Sequence, residues 1–531
     1  MKKITLMLAA VLVCAAGFSQ SKNFKIGQWS EIRNAIIKEL SKSYVDSLPV
    51  DRIERAAIDA MLEELDPYTV YIPQEENEDL DMMINRSYGG IGAVIYKPDI
   101  NGNVVINEPY FNSPAHRAGL VCGDEIMEVD GVSTHGLTSS EASERMKGKP
   151  GSDVVFKVKK LRGGNIEDIA VKRERIHLPD VEYAGMLNET DGYILQTGFT
   201  LNVSSDVRNA VLKLKEQGMK RLFLDLRGNG GGLMQEAIKI VSLFVPKGET
   251  VVTSRGTDGE TVFKTTTEPI DTELQLVVLV DSGSASASEI IAGAIQDLDR
   301  GTIMGKRTYG KGLVQSIRSL PYNGSMKLTT AKYYTPSGRC VQAIDYSHRA
   351  EDGSVGHIPD SLTNEFKTRS GRIVRDGGGI TPDVEIPVKE YSRLTYSLVL
   401  SGIIEQYALQ FVREHETIPA VQDFHFSDSD YSDFVEYAKN KEFDYRSSAR
   451  TYFDQMKKEL DKDGLSQSMS EELDALQKAL DIEKEQFLTL KKDEIIPFIE
   501  EEIVVRYYFQ EAGIQIRLRY DDQLKQAINK I

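Results

Sequence analysis

Cysteine is nearly missing from this chain: 531 residues carry three, Cys14, Cys122 and Cys340. So few rule out a disulfide framework as the source of stability. Positive charge is also short, with 64 Lys and Arg against 81 Asp and Glu and a formal charge of −17. That balance argues against nucleic acid as a partner, because a phosphate backbone needs a basic surface. The seven histidines (His116, His135, His177, His348, His357, His415 and His425) are scattered without ligand spacing. H-E-x-x-H, C-x-x-C and G-x-S-x-G are all absent, which removes the common zinc-peptidase, dithiol and nucleophile-elbow readings. No metal and no cofactor are expected. The one marked apolar run, ITLMLAAVLVCAAGF, is short for a membrane span.

What is present is an ordinary globular composition, 40% hydrophobic and 27% charged, long enough for three or four domains of roughly 150 residues. The apolar run follows Lys2 and Lys3 and ends among small residues near Ser19. This is the layout of a signal peptide over residues 1–19, so the chain is expected to be exported to the periplasm. Membrane association is a secondary expectation: Cys14 raises lipid attachment, but Val13 stands where a small residue is wanted.

Residues 20–86 read as a helical entry region. SEIRNAIIKELSKSYVD and RIERAAIDAMLEELD both carry apolar residues at helical spacing, and Pro67 closes the second. From Tyr88 the texture changes to clustered glycines, short β-rich runs and one helix near 138–147. Residues 87–177 resemble a PDZ domain. The likeness rests on the loop Gly90-Ile91-Gly92-Ala93, on Ser113-Pro114-Ala115 running into Ala118-Gly119-Leu120, and on Gly123-Asp124 before IMEVDGV. Such domains take a peptide's terminal carboxylate on loop N–H groups and add the peptide as a strand. Between 178 and 396, strands YILQTGF, RLFLDLRG and LQLVVLVD alternate with helical stretches, which implies an α/β layer. From 397 to 531 the chain is helical and charge-laced.

Chemistry concentrates in two strand-to-helix turns and one lysine. LDLRGNGGGLMQEAI ends a strand in consecutive glycines before a helix, where backbone N–H groups can meet an oxyanion or simply make a turn. LVDSGSASASEIIAGAIQD places serines in the same position, and Ser286-Ala287-Ser288-Glu289 is also a capping box. GKRTYGKGLVQ nearly spells a phosphate-binding loop. Gly312 replaces its Ser or Thr, however, and LVQSI reads as a strand instead of the required helix. Lys311 is then free to serve as a base, provided burial lowers its pKa from about 10.4 toward neutrality. Even spacing on the expected strand would place Gln315 on the same face as Lys311.

At these residues the chain resembles the C-terminal processing peptidases, or tail-specific proteases, of the Ser/Lys-dyad class. The likeness covers about residues 60–386: LDPYTVYIP, YGGIGAVI, the PDZ-like stretch, LDLRGNGGG, VLVDSGSASASEIIAGAIQD and GKRTYGKGLVQ, in order. It implies Ser286 as nucleophile, Lys311 as general base and Gln315 as the group holding it. It also implies an oxyanion hole from the N–H groups of Gly232 and Ala287, and a structural part for Asp297. The implied fold is a crotonase- or Clp-protease-like α/β core with an inserted PDZ domain and helical N- and C-terminal regions. The implied function is an endopeptidase that captures protein or peptide C-termini and cleaves near them through an acyl-enzyme. A homodimer is expected by family analogy, with an adaptor as the alternative partner. The chain departs from the family at Tyr68, where LDPHS-type members carry His, in the insertion RAEDGSVGHIPDSLTNEFKTRSGRIV, and in its extended tail. A noncatalytic PDZ scaffold with an inactive core is the alternative reading.

Overall fold

Alternation along one strand explains the layering of the core. Leu222 and Leu224 face one side of strand Arg221–Asp225 and Phe223 the other, and all three are fully buried, as expected for a parallel strand covered on both faces. In the computed structural model, which describes residues 22–76, 82, 84–98, 101–350, 352–444, 446–480 and 484–530, this strand lies within a six-stranded sheet. The order is Val181–Met186, Asp191–Gln196, Arg221–Asp225, Gln275–Val280, Thr302–Gly305 and Val384–Glu385. The first pair is antiparallel and the others are parallel.

Leu222 and Leu224 pack with the helices Val203–Glu216, Met234–Val241 and Ala287–Asp297. Removing one such leucine side chain costs about 2–5 kcal/mol. Phe223 packs instead with Tyr193, Val277, Leu279, Met304 and Ile386, against Leu524 and Ala527 of the last helix, Asp522–Asn529. The chain's end therefore covers the second face of the core sheet.

A second group of antiparallel strands carries Ser325–Tyr334 between Thr250–Gly256 and Leu313–Ser319, with Gly259–Lys264 beyond. Its hairpin turns on Tyr322 and Asn323, both at positive φ, one residue earlier than an Asn323-Gly324 pair would place it. The insertion supplies the return strand of one short hairpin, Ile344–Arg349 with Val355–His357, and most of a second, Glu365–Lys367 with Ile373–Arg375.

The chain divides into two compact units after Tyr71. The first holds the helices Lys22–Ser43 and Val50–Glu63. Beyond them the helical reading of 20–86 gives way. Asp66 accepts the N–H groups of Tyr68 (2.8 Å) and Thr69 (2.9 Å) in a side-chain turn after Glu64, and the Val-Tyr-Ile run at Val70–Ile72 becomes a strand. The proposed signal peptide, 1–19, lies outside the described residues. Among the described residues no helix is long and apolar enough to cross a membrane. Cys122 and Cys340 are free thiols.

In the second unit, strands Ala93–Tyr96, Val104–Pro109, Glu125–Val129, Asp153–Lys159 and Ile166–Lys172 form an antiparallel sheet around Ile106, Leu120, Ile126 and Phe156. Helix Ser139–Met146 begins in a complete capping box, Thr138 with Glu141. The tail helices start at Arg393 and bury their own core around Leu394, Phe434, Ile499 and Val504. They also grip the PDZ-like sheet. Helix Lys492–Tyr520 breaks at Phe509 (φ 65°), where the ring packs on Phe111 and His116, and Gln510 Nε2 donates to Glu108 Oε2 at 2.6 Å.

Glu108 makes this contact sensitive to pH. It is 2% exposed and its Oε1 has no partner. Burial pushes its carboxyl up from 4.5 to about 7, against the pull of Gln510 and Arg506. The folded state thus holds this proton more tightly than the unfolded chain. The resulting stability is full below 4.5 and is lost as pH rises through about 7, a loss of about 3 kcal/mol. Glu108→Gln is expected to shrink the fall in melting temperature between about pH 5 and about pH 8. Thermal unfolding of both chains at the two pH values checks this, and an unchanged fall would refute it.

Candidate active site

The serine turn begins at the carboxyl end of strand Gln275–Val280. Asp281 Oδ1 accepts the N–H groups of Gly283 (2.9 Å), Ser284 (3.1 Å) and Gly228 (2.8 Å), so one carboxylate folds the serine turn and ties it to the glycine turn. Two of the serines are spent on structure. Ser284 Oγ donates to Leu226 O at 2.7 Å and Ser288 Oγ to Asn229 O at 2.9 Å, and both residues are fully buried. Ser286 is different. It is half-buried at the head of helix Ala287–Asp297, with φ 55° and ψ −111°. A non-glycine residue at positive φ carries a cost that the surrounding structure must impose.

The glycine turn lies directly against it. Asn229 Nδ2 donates to Gln196 O (2.8 Å), its Oδ1 accepts Gly231 N–H (2.9 Å), and its carbonyl accepts Ala285 N–H (3.0 Å). A Cβ built on Gly231 would lie 2.8 Å from Ser286 Cβ and 2.9 Å from Ala287 N, and Gly231 has φ 97°. Gly232, at φ 150°, is bridged to Phe199, so within this turn it is Gly231 that adjoins Ser286 and Ala287.

Lys311 is brought in by its backbone. The loop before it runs beside the serine turn, with Lys306 N–H on Val280 O and Tyr309 N–H on Ser284 O, each at 3.0 Å. Glu289 Oε2 accepts both Ser286 N–H (2.9 Å) and Lys311 N–H (2.8 Å). Its Oε1 accepts Thr308 Oγ1 (2.6 Å) and Gly310 N–H (2.8 Å). On the other side, Tyr333 OH lies 3.1 Å from Ser286 O and 2.5 Å from Lys311 O. One carboxylate and one phenol thus hold both segments. Burial pushes the Glu289 carboxyl above its ordinary range, opposed by these four hydrogen bonds.

In the sequence Glu289 reads only as part of a capping box, and Tyr333 and Thr308 carry no motif. The available signal is an acid in the first turn of helix ASEIIAGAIQD, just before the small and apolar run IIAGAI. Strand alternation is not what would bring Gln315 to Lys311. The strand starts at Leu313, the pairing shifts between Val314 and Gln315, and Gln315 Nε2 donates to Thr329 Oγ1 at 3.3 Å. Lys311 therefore precedes the strand, and strand alternation does not align it with Gln315. The segment after Lys311 is a strand, which also removes the phosphate-loop reading. Asp297 sits at the far end of the helix from Ser286, accepting Arg339 (2.8 Å) and Ser337 N–H (3.0 Å). Its contacts are those of a structural residue.

The PDZ-like loop is equally defined. Ile91 is buried, its carbonyl accepts Ala115 N–H (2.9 Å), and Gly92 (φ 72°) leaves no room for a Cβ beside Ser113. Strand Ala93–Tyr96 pairs with Val104–Pro109 and, among the described residues, ends the sheet on its other side.

Fold and turns together define an α/β core of the serine-peptidase class joined to a PDZ domain. The sequence model described as "Peptidase family S41" matches residues 191–348, "PDZ domain" residues 80–172, and "Probable PDZ-protease, C-terminal helical domain" residues 394–531. The chain is 34% identical over 346 residues to a "Probable CtpA-like serine protease" of Staphylococcus aureus (strain N315), covering 64% of this chain and 68% of that protein. To the namesake in strain COL it is 35% identical over 310 residues, covering 58% of this chain and 61% of the relative. A solved photosystem II D1 C-terminal processing protease aligns with 67% of this chain and 86% of its own, at 26% identity and a TM-score of 0.38. This chain belongs to peptidase family S41, among the C-terminal processing peptidases that carry a PDZ domain.

Proposed function

We propose that the chain is an exported, periplasmic serine endopeptidase that captures protein or peptide C-termini and cleaves near them. The observation that carries this reading is the shared clamp. Glu289 Oε2 takes the N–H of both Ser286 and Lys311, with the glycine turn against Ser286. In the proposed mechanism the neutral Lys311 amine takes the Ser286 hydroxyl proton as Oγ attacks the scissile carbonyl. Gln315 helps hold the amine. The N–H groups of Gly232 and Ala287 receive the oxyanion. The protonated lysine then gives its proton to the leaving amine, and the acyl-enzyme is released by water that Lys311 deprotonates. The core is taken as crotonase- or Clp-protease-like, and assembly as a homodimer or on an adaptor belongs to the same family-based proposal.

Capture is assigned to Gly90-Ile91-Gly92-Ala93, with the peptide added as a strand beside Ala93–Tyr96. Amidating a substrate's C-terminus removes the charge from these contacts and leaves the cleavage site unchanged. It is expected to cost about 1–3 kcal/mol of capture, read as a roughly 5- to 150-fold rise in KM. Cleavage of one peptide in both forms, with Ser286→Ala as control, tests the proposal. Equal KM values would remove the carboxylate-reading role. Tight binding without Ser286-dependent cleavage would favour the noncatalytic scaffold.

A further inference from the structure

The glycine turn is anchored at its root by the end of the chain. Arg227 immediately precedes Gly228, at the exit of strand Arg221–Asp225, and its guanidinium is shared between two carboxylates. Nε donates to Asp225 Oδ1 (3.0 Å) and Oδ2 (2.9 Å), and Nη2 to Asp225 Oδ2 (2.5 Å). The other side of the fork faces residues almost three hundred positions away. Nη2 donates to Asp521 Oδ2 (2.5 Å), and Nη1 to Asp521 Oδ1 (3.3 Å) and Gln523 Oε1 (3.1 Å). Arg227, Asp225 and Asp521 side chains are 18%, 2% and 17% exposed, so this is a largely desolvated, two-sided use of a planar fork.

Each partner is itself held. Asp225 also accepts Tyr193 OH (2.7 Å) and Arg227 N–H (2.9 Å). Asp521 Oδ1 accepts Leu524 N–H (2.9 Å), capping the last helix, and Gln523 Nε2 donates to Ile386 O (3.0 Å). Leu524 and Ala527 of that helix bury against Phe223 and Leu279 of the core sheet. Without Asp521 and Gln523, Nη1 would lose both of its acceptors and Arg227 would keep only the contacts to Asp225.

We infer that Asp521 is a positioning residue for the oxyanion-forming turn: through Arg227, the C-terminal helical region sets where Gly228–Gly232 lies against Ser286. This rests on the proposed serine-peptidase reading. Asp521 touches neither substrate nor reacting atoms. Its effect is on the placement of N–H donors, and a misplacement of about 1 Å costs up to about 100-fold in rate.

The test uses the full chain with Asp521→Asn, which keeps an N-cap of nearly equal strength and so leaves the last helix its start. Cleavage kinetics, affinity for a peptide boronate that mimics the tetrahedral intermediate, and amide hydrogen exchange over 228–232 are measured together. The expected result is a roughly 10- to 100-fold fall in kcat with KM within about twofold. Boronate affinity is expected to fall with kcat, and 228–232 to exchange faster at an unchanged melting temperature. Asp521→Glu is expected to restore part of kcat. In an Arg227→Lys background, Asp521→Asn is expected to add little, as coupled residues do. Unchanged kcat, or full additivity with Arg227→Lys, would overturn the inference. If the parent chain shows no Ser286-dependent cleavage, the proposed function fails on its own. Exchange at 228–232 then decides the Asp521 link, and unchanged protection would overturn it.

Discussion

Lys311→Arg is expected to abolish turnover while the chain stays folded. Guanidinium remains protonated at any working pH and cannot take the Ser286 proton, although it keeps the charge and most of the length of the side chain. The backbone contacts that place residue 311, its N–H on Glu289 and its carbonyl beside Tyr333, are unaffected by the side chain. The expected loss is about 10⁴-fold or more, the scale seen when one member of a nucleophile–base pair is removed. Ser286→Ala is expected to match it, because Ser284 and Ser288 hydroxyls are buried and committed to Leu226 and Asn229 carbonyls. The rate in the parent is expected to rise with pH as the amine loses its proton and then to level off. Peptide cleavage by each variant, with melting temperatures alongside, checks this. Retained cleavage in Lys311→Arg refutes the base.

Gly231→Ala is expected to have the next largest effect. The added Cβ would lie 2.7 Å from Ala285 O, 2.8 Å from Ser286 Cβ and 2.9 Å from Ala287 N, at φ 97°. Backbone atoms on both sides leave no flexible group to yield, so either the glycine turn or the serine turn must move. The donors assigned to the oxyanion sit on these two turns, and losing one such donor costs about 100- to 1,000-fold in kcat. Gly230→Ala is the internal comparison. A Cβ there meets nothing within 4 Å, so its loss of kcat is expected to be far smaller. Kinetics of the two variants side by side test the claim, and equal effects would show that the clash at Ser286 is not what matters.

Several layers of this molecule are legible in sequence because they rest on local rules. The apolar runs LFLD and LQLVVLVD become buried parallel strands, and the helix expected near 138–147 is found at Ser139–Met146. Ser286 and Lys311 are identified by their turn contexts and by family resemblance. What joins them is long-range, and so invisible to spacing. Glu289 reads as a helix cap because its local partner is Ser286, while Thr308, Gly310 and Lys311 arrive from a loop about twenty residues on. Tyr333 is one aromatic among 23 tyrosines until pairing with Leu313–Ser319 sets it beside both carbonyls. The Gln315 alignment shows the opposite case, a period-two argument begun at Lys311, before the strand starts at Leu313. The Arg227–Asp521 pair had no local signal at all, because its two halves are 294 positions apart.

The central claim is that Ser286 becomes acylated with Lys311 as its base. Mixing the full chain with an activated peptide ester, quenching in acid and mapping the adduct by mass spectrometry tests this directly. The account predicts the acyl mass on Ser286, present in the parent and absent from both Lys311→Arg and Ser286→Ala. An adduct on Ser284 or Ser288, or undiminished acylation in Lys311→Arg, would contradict it.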